Sequence, residues 1–360
     1  MEPENVNKGK WAYFLVSILG MTVFFGMFAF LPETVVAPLS SDTDLSSQLP
    51  DFGKPLDRSP SHEPVPSEPS SVRLVFTGDI MLARAVEWAI RAEGPEYPFL
   101  RWESGEFLDA DAVIGNFEGT IRATENIEQT NVMAFDTLPT SIPALKNAGF
   151  THLSLSNNHS DDFGEEVAEF TRSTIFESGM IPFGDPFASE KFVTRIEGGI
   201  PVSIIGFHAF NETAESIFQA IQEEDAAGNF VIVYPHWGNE YEHSPSPAQT
   251  SAAQLWIEAG ADLIVGAHPH VVQSVDTIDG VPVIYSLGNF LFDQDFSRAT
   301  QVGAFADVVI SDDEISLSFS PVEIRSRQMF INHEENEQLL SWLGLSDLTW
   351  NVPREEVQTP

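Results

Sequence analysis

Leu263-Ile264-Val265-Gly266-Ala267-His268-Pro269-His270 is a short aliphatic run that ends on a glycine and delivers two imidazoles in quick succession. A run of this length bounded by Gly and Pro reads as a buried strand of a largely parallel sheet. Four other runs end the same way. Leu74-Val75-Phe76 leads into Gly78-Asp79, Ala112-Val113-Ile114 into Gly115-Asn116-Phe117-Glu118, and His152-Leu153-Ser154-Leu155 into Asn157-Asn158-His159. Val231-Ile232-Val233-Tyr234 leads into Pro235-His236. Open α/β sheets place ligands just beyond the carboxyl ends of their strands, so the pattern predicts one polar site assembled from five loops.

Helical candidates alternate with these strands: Ala83 to Ala92, Ser141 to Ala148, Glu165 to Glu177 and Ala248 to Ala259. The alternation points to βαβ units. After Asn289 the pattern turns β-rich, through Ala304 to Ile310 and Ile315 to Ile324, and a short helix from about Glu334 to Leu343 closes the domain.

With 360 residues, 42% of them hydrophobic, the chain can bury one sizeable α/β core plus appendages. Its 54 acidic residues against 17 basic ones give a formal net charge of -37. Such a surface repels a phosphate backbone instead of releasing its counterions, which argues against nucleic acid as a partner. Cysteine is absent, so disulfides, thiolate metal sites and cysteine nucleophiles are excluded. A metal would have to sit on oxygen and imidazole.

Residues 1–10 read as a cytoplasmic N-terminus and 11–31 as a transmembrane signal anchor. Trp11 to Leu31 is almost unbroken in its apolarity and about the ~20 residues a bilayer requires. Lys8 and Lys10 precede it, while Glu33, Asp42 and Asp44 follow, which orients the bulk of the chain to the extracytoplasmic side of the cell membrane. A cleaved signal peptide is the competing reading, on the strength of Val35-Val36-Ala37, although Pro38 directly after would hinder cleavage there. Residues 32–71 are rich in Pro, Ser, Asp and Glu and read as an extended tether. Residues 72–330 form the expected domain, with a C-terminal helix and tail over 331–360.

Within the domain, His268 and His270 flank a proline, and residues two apart in an extended segment point to the same side, so both imidazoles can reach one site. Asp79 follows a glycine where a carboxylate can project over the sheet edge; equally, it can cap the helix beginning near Ala83. Asn158-His159 pairs a carbonyl ligand with an imidazole able to protonate a leaving group. Asn157 can be a plain turn residue. Asn116 and Glu118 compete for one role, either binding while the other orients it. His236 falls at a strand end in line with the rest, whereas His152, His208, His243, His62 and His333 lack that alignment or neighbourhood and stay unassigned. Arg84, Glu240 and Asn289 lie beside motifs as supporting or substrate-contacting candidates.

Taken in order, Thr77-Gly78-Asp79-Ile80-Met81-Leu82-Ala83-Arg84, Gly115-Asn116-Phe117-Glu118, Ser156-Asn157-Asn158-His159 with Asp162 and Gly164, His236-Trp237-Gly238-Asn239-Glu240-Tyr241, Gly266-Ala267-His268-Pro269-His270-Val271 and Tyr285-Ser286-Leu287-Gly288-Asn289-Phe290 resemble the motifs of CapA-type capsule synthesis proteins, also known as PgsA in poly-γ-glutamate systems. The resemblance covers about Val72 to Ile324. That family is similar in turn to calcineurin-like metallophosphoesterases, which implies an α/β fold with a four-layer β-sandwich flanked by helices around a two-metal site. It implies divalent ions of the Mn, Fe or Zn class, with Asp79, Asn158, His236, His268 and His270 at ligand positions. Asn116 or Glu118 would stand near the bridging position, and His159 at that of the catalytic histidine. The chain departs from the phosphoesterase pattern at Met81, where a histidine is expected, and at Asn116, where an aspartate is expected.

Three functions are compatible with these residues. One is a membrane-anchored, metal-dependent hydrolase or transferase acting on an anionic cell-envelope polymer or its phosphorylated precursor, beside other capsule-synthesis membrane subunits. Another is a non-catalytic metal-binding subunit of a polymer synthesis and export complex. The third is a general extracellular phosphoesterase.

Overall fold

The computed structural model describes residues 70–123, 133–184, 187, 193–197 and 199–354, all within the unit Pro64–Pro360. The expected anchor at 11–31, nearly all of the tether and the end of the tail lie outside the described residues. Among those described, no helix is long and apolar enough to cross a membrane.

In chain order the elements begin with β1 (Ser71–Ile80), α1 (Arg84–Glu93), β2 (Ala112–Phe117), β3 (Thr120–Ile121) and β4 (Asp136–Thr137). They continue through α2 (Ile142–Asn147), β5 (His152–Ser154), α3 (Glu165–Glu177), β6 (Ile181–Phe183), β7 (Val193–Ile196) and β8 (Val202–His208). Next come α4 (Phe218–Ala226), β9 (Phe230–His236), α5 (Pro247–Glu258), β10 (Leu263–Val265), β11 (Val275–Ile278), β12 (Val281–Ile284) and β13 (Asn289–Leu291). The chain closes with α6 (Arg298–Gln301), β14 (Val302–Ser311), β15 (Glu314–Arg325), β16 (Gln328–Ile331), α7 (Asn336–Leu343) and β17 (Thr349–Pro353).

The result is a mixed α/β protein, and the expectation of a largely parallel sheet needs correcting. One sheet runs β16-β15-β14-β1-β2-β5-β6, with β13 beside β1 and β17 beside β15; another runs β11-β12-β10-β9-β8-β7; β3 and β4 pair separately. The runs β1-β2-β5-β6 and β12-β10-β9-β8 are parallel, as are the β1-β13 and β3-β4 pairs. The strands β14 to β17 pair antiparallel, and β14 and β15, joined by a tight turn at residues 312–313, need no crossover.

Strand alternation explains the layers. In β1, Leu74 and Phe76 face one core while Val75 faces another. In β9, Ile232 and Tyr234 join the core of Leu74 and Phe76, while Val231 and Val233 face a third core. The shared core therefore lies between the two sheets, and the outer two lie under helices: Val86, Ala144 and Ile175 on one side, Ile221 and Trp256 on the other. A side-chain period of two lets each central strand bury both faces.

Parallel register then aligns the strand ends. Asp79 is opposite Asn116 and Asn289, Asn116 is opposite Ser154, and His208 is opposite His236. The two sheets meet at this end, where the Tyr234 hydroxyl donates to the Thr77 carbonyl at 2.6 Å. Here β1 also changes partner, pairing with β14 as far as Thr77 and with β13 from Asp79. Gly78 marks the exchange. A Cβ on it would stand 1.8 Å from the Gly288 carbonyl oxygen, which accepts the Asp79 N–H at 3.0 Å.

Two outcomes are expected. Gly78→Ala should push β1 away from Gly288 and cost about 3 kcal/mol or more, read as a fall in thermal midpoint. His152 at the start of β5 is buried with Nε2 unpartnered, and burial followed by the Lys146 charge depresses its pKa to about 4. The unfolded chain therefore takes up this proton first. Its contribution is complete above about pH 6.5 and is lost as pH falls toward 4, on the order of 3 kcal/mol in all. Denaturant titrations across that window should show a smaller acid loss in His152→Phe.

Candidate metal centre

Asp79 leaves β1 with its carboxylate buried between the sheets. Both of its oxygens accept the His268 N–H at 3.1 Å, Oδ1 accepts the Asn116 amide at 2.8 Å, and Oδ2 lies 3.2 Å from His270 Nδ1. The helix-cap alternative for Asp79 is corrected by this geometry, because the N-cap position of α1 is Ala83 and carries no side-chain cap.

The loop after β10 is not the extended segment expected from its sequence. His268 and His270 have φ of 98° and 58°, conformations disfavoured for residues with a Cβ and costing roughly 1–3 kcal/mol each. Asp79 holds the loop through the His268 amide, and the Tyr241 N–H donates to the Pro269 carbonyl at 2.8 Å. Both imidazoles reach the cluster by these two left-handed turns, with ring centres 5.8 Å apart.

A chain of amides sets the protons. Asn157 donates to the Phe117 carbonyl at 2.8 Å, which fixes its NH2 group; its oxygen accepts from the His159 N–H at 3.1 Å and the Ser160 hydroxyl at 3.0 Å. The same NH2 donates to Asn116 Oδ1 at 3.1 Å, so the Asn116 NH2 must face Asp79 and His236 Nδ1, the latter at 3.1 Å. Asn116 and Glu118 thus occupy different places. Asn116 orients Asp79 and His236, while Glu118 is buried with neither carboxylate oxygen hydrogen-bonded.

His236 Nε2 lies 2.7 Å from Asn158 Oδ1 and 2.9 Å from His268 Nδ1. Burial and then the neighbouring imidazoles hold His236 well below the usual histidine range, and burial with His270 takes His268 to about 3. Neutral rings with converging nitrogens are what metal coordination requires. For His270, burial pulls downward, but the Glu118 and Asp79 carboxylates override it and bring the ring to about 9. Its tautomer is set from outside. Asn289 must turn its NH2 to the Thr300 carbonyl at 2.9 Å, so its oxygen meets His270 Nδ1 at 3.0 Å. Nδ1 therefore keeps its hydrogen and Nε2 points toward Glu118, 3.7 Å away.

An unpartnered buried carboxylate is costly unless a cation accompanies it. Burial, opposed by His270, raises Glu118 to about 7. Asp79, Glu118 and His270 offer ligand atoms within 4.8 Å of one another, and Glu240, His268 and His270 form an overlapping set. The oxygen and imidazole donors present here fit a divalent cation of the Mn, Fe or Zn class.

His159 lies beside this cluster. Its Nδ1 is 2.9 Å from Asp162 Oδ2, Nε2 is 3.8 Å from Glu118, and its ring stacks on Phe135 at 3.9 Å. Asp162 also accepts the Phe135 N–H at 2.7 Å, so one carboxylate positions both rings. Arg84 is ion-paired with Asp293 and lies 4.6 Å from the Phe135 ring. Glu240 is exposed at the mouth.

Met81, at the position where the phosphoesterase pattern has histidine, is fully buried and its sulfur meets the Ala83 N–H at 2.9 Å. His208, left unassigned from sequence, ends β8 opposite His236, is buried and has Nδ1 unpartnered. The mainly apolar run Val202-Ser203-Ile204-Ile205-Gly206-Phe207 before it was the available signal.

Residues 73–294 match the family described as Bacterial capsule synthesis protein PGA_cap. The chain is 32% identical over 262 residues to the capsule biosynthesis protein CapA of Bacillus anthracis, spanning 64% of this chain and 62% of that protein. It is 30% identical over 243 residues to the PGA biosynthesis protein CapA of Bacillus subtilis (strain 168), spanning 62% of this chain and 64% of that one. The chain thus spans under two thirds of the length of these relatives. The family match takes in every residue from Asp79 to Asn289 described above.

If Glu118 and His270 hold a cation, Glu118→Gln and His270→Gln should each lower the metal retained after dialysis, measured by mass spectrometry. Added Mn2+ or Zn2+ should raise the thermal midpoint of the parent protein by about 2–3 kcal/mol of stabilisation at a hundredfold excess over Kd, and should raise it far less in either variant.

Proposed function

The chain belongs to the PGA_cap family of bacterial capsule synthesis proteins, and from that premise we propose a membrane-anchored protein of capsule or poly-γ-glutamate biosynthesis with a metal-dependent hydrolase- or transferase-like site on the extracytoplasmic side. The anchor is the apolar stretch Trp11 to Leu31 behind Lys8 and Lys10. Two sheets packed face to face between helices support a metallophosphoesterase-like reading of the fold, with two ions held among Asp79, Glu118, Asn158, His236, His268, His270 and Glu240. The observation that carries the proposal is Glu118, a buried carboxylate with no hydrogen-bond partner, set among imidazoles and next to His159.

A divalent cation held by these residues would supply Lewis acidity at the attacked acyl or phosphoryl centre. The chain's own residues account for the rest. Asp162 holds His159 Nδ1 at 2.9 Å and Phe135 stacks on the ring, so Nε2 faces the cluster in a fixed orientation. From there it can give a proton to the leaving oxygen or nitrogen as the bond to the attacked centre breaks, and a water or polymer end that has attacked supplies the replacement proton. Asn116, fixed by Asn157, keeps Asp79 and His236 aimed into the same space.

A second reading, a metal-binding subunit without turnover in a synthesis and export complex, is favoured by Met81 and Asn116. One withdraws a ligand from the phosphoesterase pattern and the other replaces an anion with an amide that donates.

The test is turnover of simple phosphate esters and of poly-γ-glutamate by the purified full-length protein, with its metal content measured in parallel. His159→Ala should lose roughly 10²–10⁴-fold in rate while keeping its metal. Metal bound with no turnover of any substrate would sink the catalytic reading and leave the second one.

A further inference from the structure

Beside the cluster lies a cavity of about 550 Å³, lined by His159 and His270 together with Trp88, Met133, Tyr241 and Phe296. Its size falls within the ~300–1,000 Å³ common for small-molecule sites. Trp88 is 72% and Phe296 65% exposed, an unusual concentration of aromatic surface for a chain of net charge -37.

Most polar groups of the wall are already committed to one another, Glu240 standing exposed at its edge. Arg84 is bound to Asp293, whose Oδ2 also takes the Ala85 N–H at 3.2 Å. Gln294 accepts from Asn289 at 3.0 Å and donates to the Tyr241 hydroxyl at 3.1 Å. Tyr241 meets Phe296 edge to face at 5.2 Å, and the Phe135 ring is occupied by His159 and Arg84. With its one guanidinium neutralised by Asp293 and the Glu240 carboxylate exposed at its edge, the wall has little to offer a polyanion, and its amide is spent on Asn289 and Tyr241. The exposed ring faces of Trp88 and Phe296 remain.

We infer that this cavity binds an apolar group of the substrate, so that the site takes an amphiphile whose polar end lies at His159, Glu118 and His270 and whose hydrocarbon end lies against Trp88 and Phe296. The inference rests on the cluster handling a polar ester or amide end, as proposed above, and it names the class of substrate.

Calorimetric titration of the full-length protein with methyl, butyl and hexyl phosphate tests it, these chains being short enough to stay dissolved. Affinity should rise by up to about threefold per methylene, at least thirtyfold from methyl to hexyl, and the double variant Trp88→Ser with Phe296→Ser should cut that gain to fivefold or less. Both side chains are exposed, so the variant should fold, which an unchanged thermal midpoint checks. Equal affinity across the series, no binding of any member, or an undiminished gain in the double variant would overturn the inference. Turnover of the same esters is read separately. A chain-length gain without turnover sinks the catalytic reading and leaves this one, and turnover without the gain does the reverse.

Discussion

The Asp79 carboxylate accepts bonds from both halves of the sandwich, and the geometry of the centre follows from it. From β1 it reaches the Asn116 amide of the neighbouring strand, the backbone N–H of His268 from the other sheet, and His270 Nδ1. Positive φ at His268 and His270 is tolerable only because the loop's N–H has a buried anion to meet. Gly78 makes this possible, since without a Cβ β1 can trade β14 for β13 and bring Asp79 against Gly288.

Around that fixed point the polar groups divide into those fully bonded and those left open. Asn157, Asn116 and Asn289 are each fixed by a partner that can only accept or only donate, and each passes an orientation inward, to His236 in one case and to His270 in the other. Among the described residues, Glu118 is an inward carboxylate with no donor on either oxygen. A buried network that leaves an anion without a donor is a poor device for stability and a suitable one for holding a cation. Strain in the His268-Pro269-His270 loop adds to the same conclusion, because its cost is borne where ligands must converge.

Polar and apolar recognition lie side by side at the mouth. The imidazole and carboxylate groups face inward from strand ends, while Trp88 from α1 and Phe296 from the segment before α6 stand outside them. The chain belongs to the capsule synthesis family, and the wall next to its centre is largely aromatic, with its one guanidinium taken by Asp293. Electrostatics alone would therefore favour a cation-carrying or apolar approach to this surface over a bare polyanion.

Much of the chain was legible before folding. The apolar runs ending in Asp79, Asn116, Asn158, His236 and His268 became strands β1, β2, β5, β9 and β10, and the predicted helices lie within a few residues of α1, α2, α3, α5 and α7. Periodicity and chain punctuation are local, so they survive in the sequence. The family resemblance implied a β-sandwich, but local pattern did not reveal the mixed pairing within each sheet, nor the place of β8 and His208, because strand pairing depends on partners far away in the chain. The separate roles of Asn116 and Glu118 were also beyond it. Two residues apart in sequence, they differ because Asn157, held by the Phe117 carbonyl, claims one amide and no group claims the other carboxylate. Sequence determined which residue types arrive at the strand ends, since that follows from local pattern; the tertiary structure alone decided which of them would be bonded and which left to seek a cation, since that depends on groups brought together across the fold.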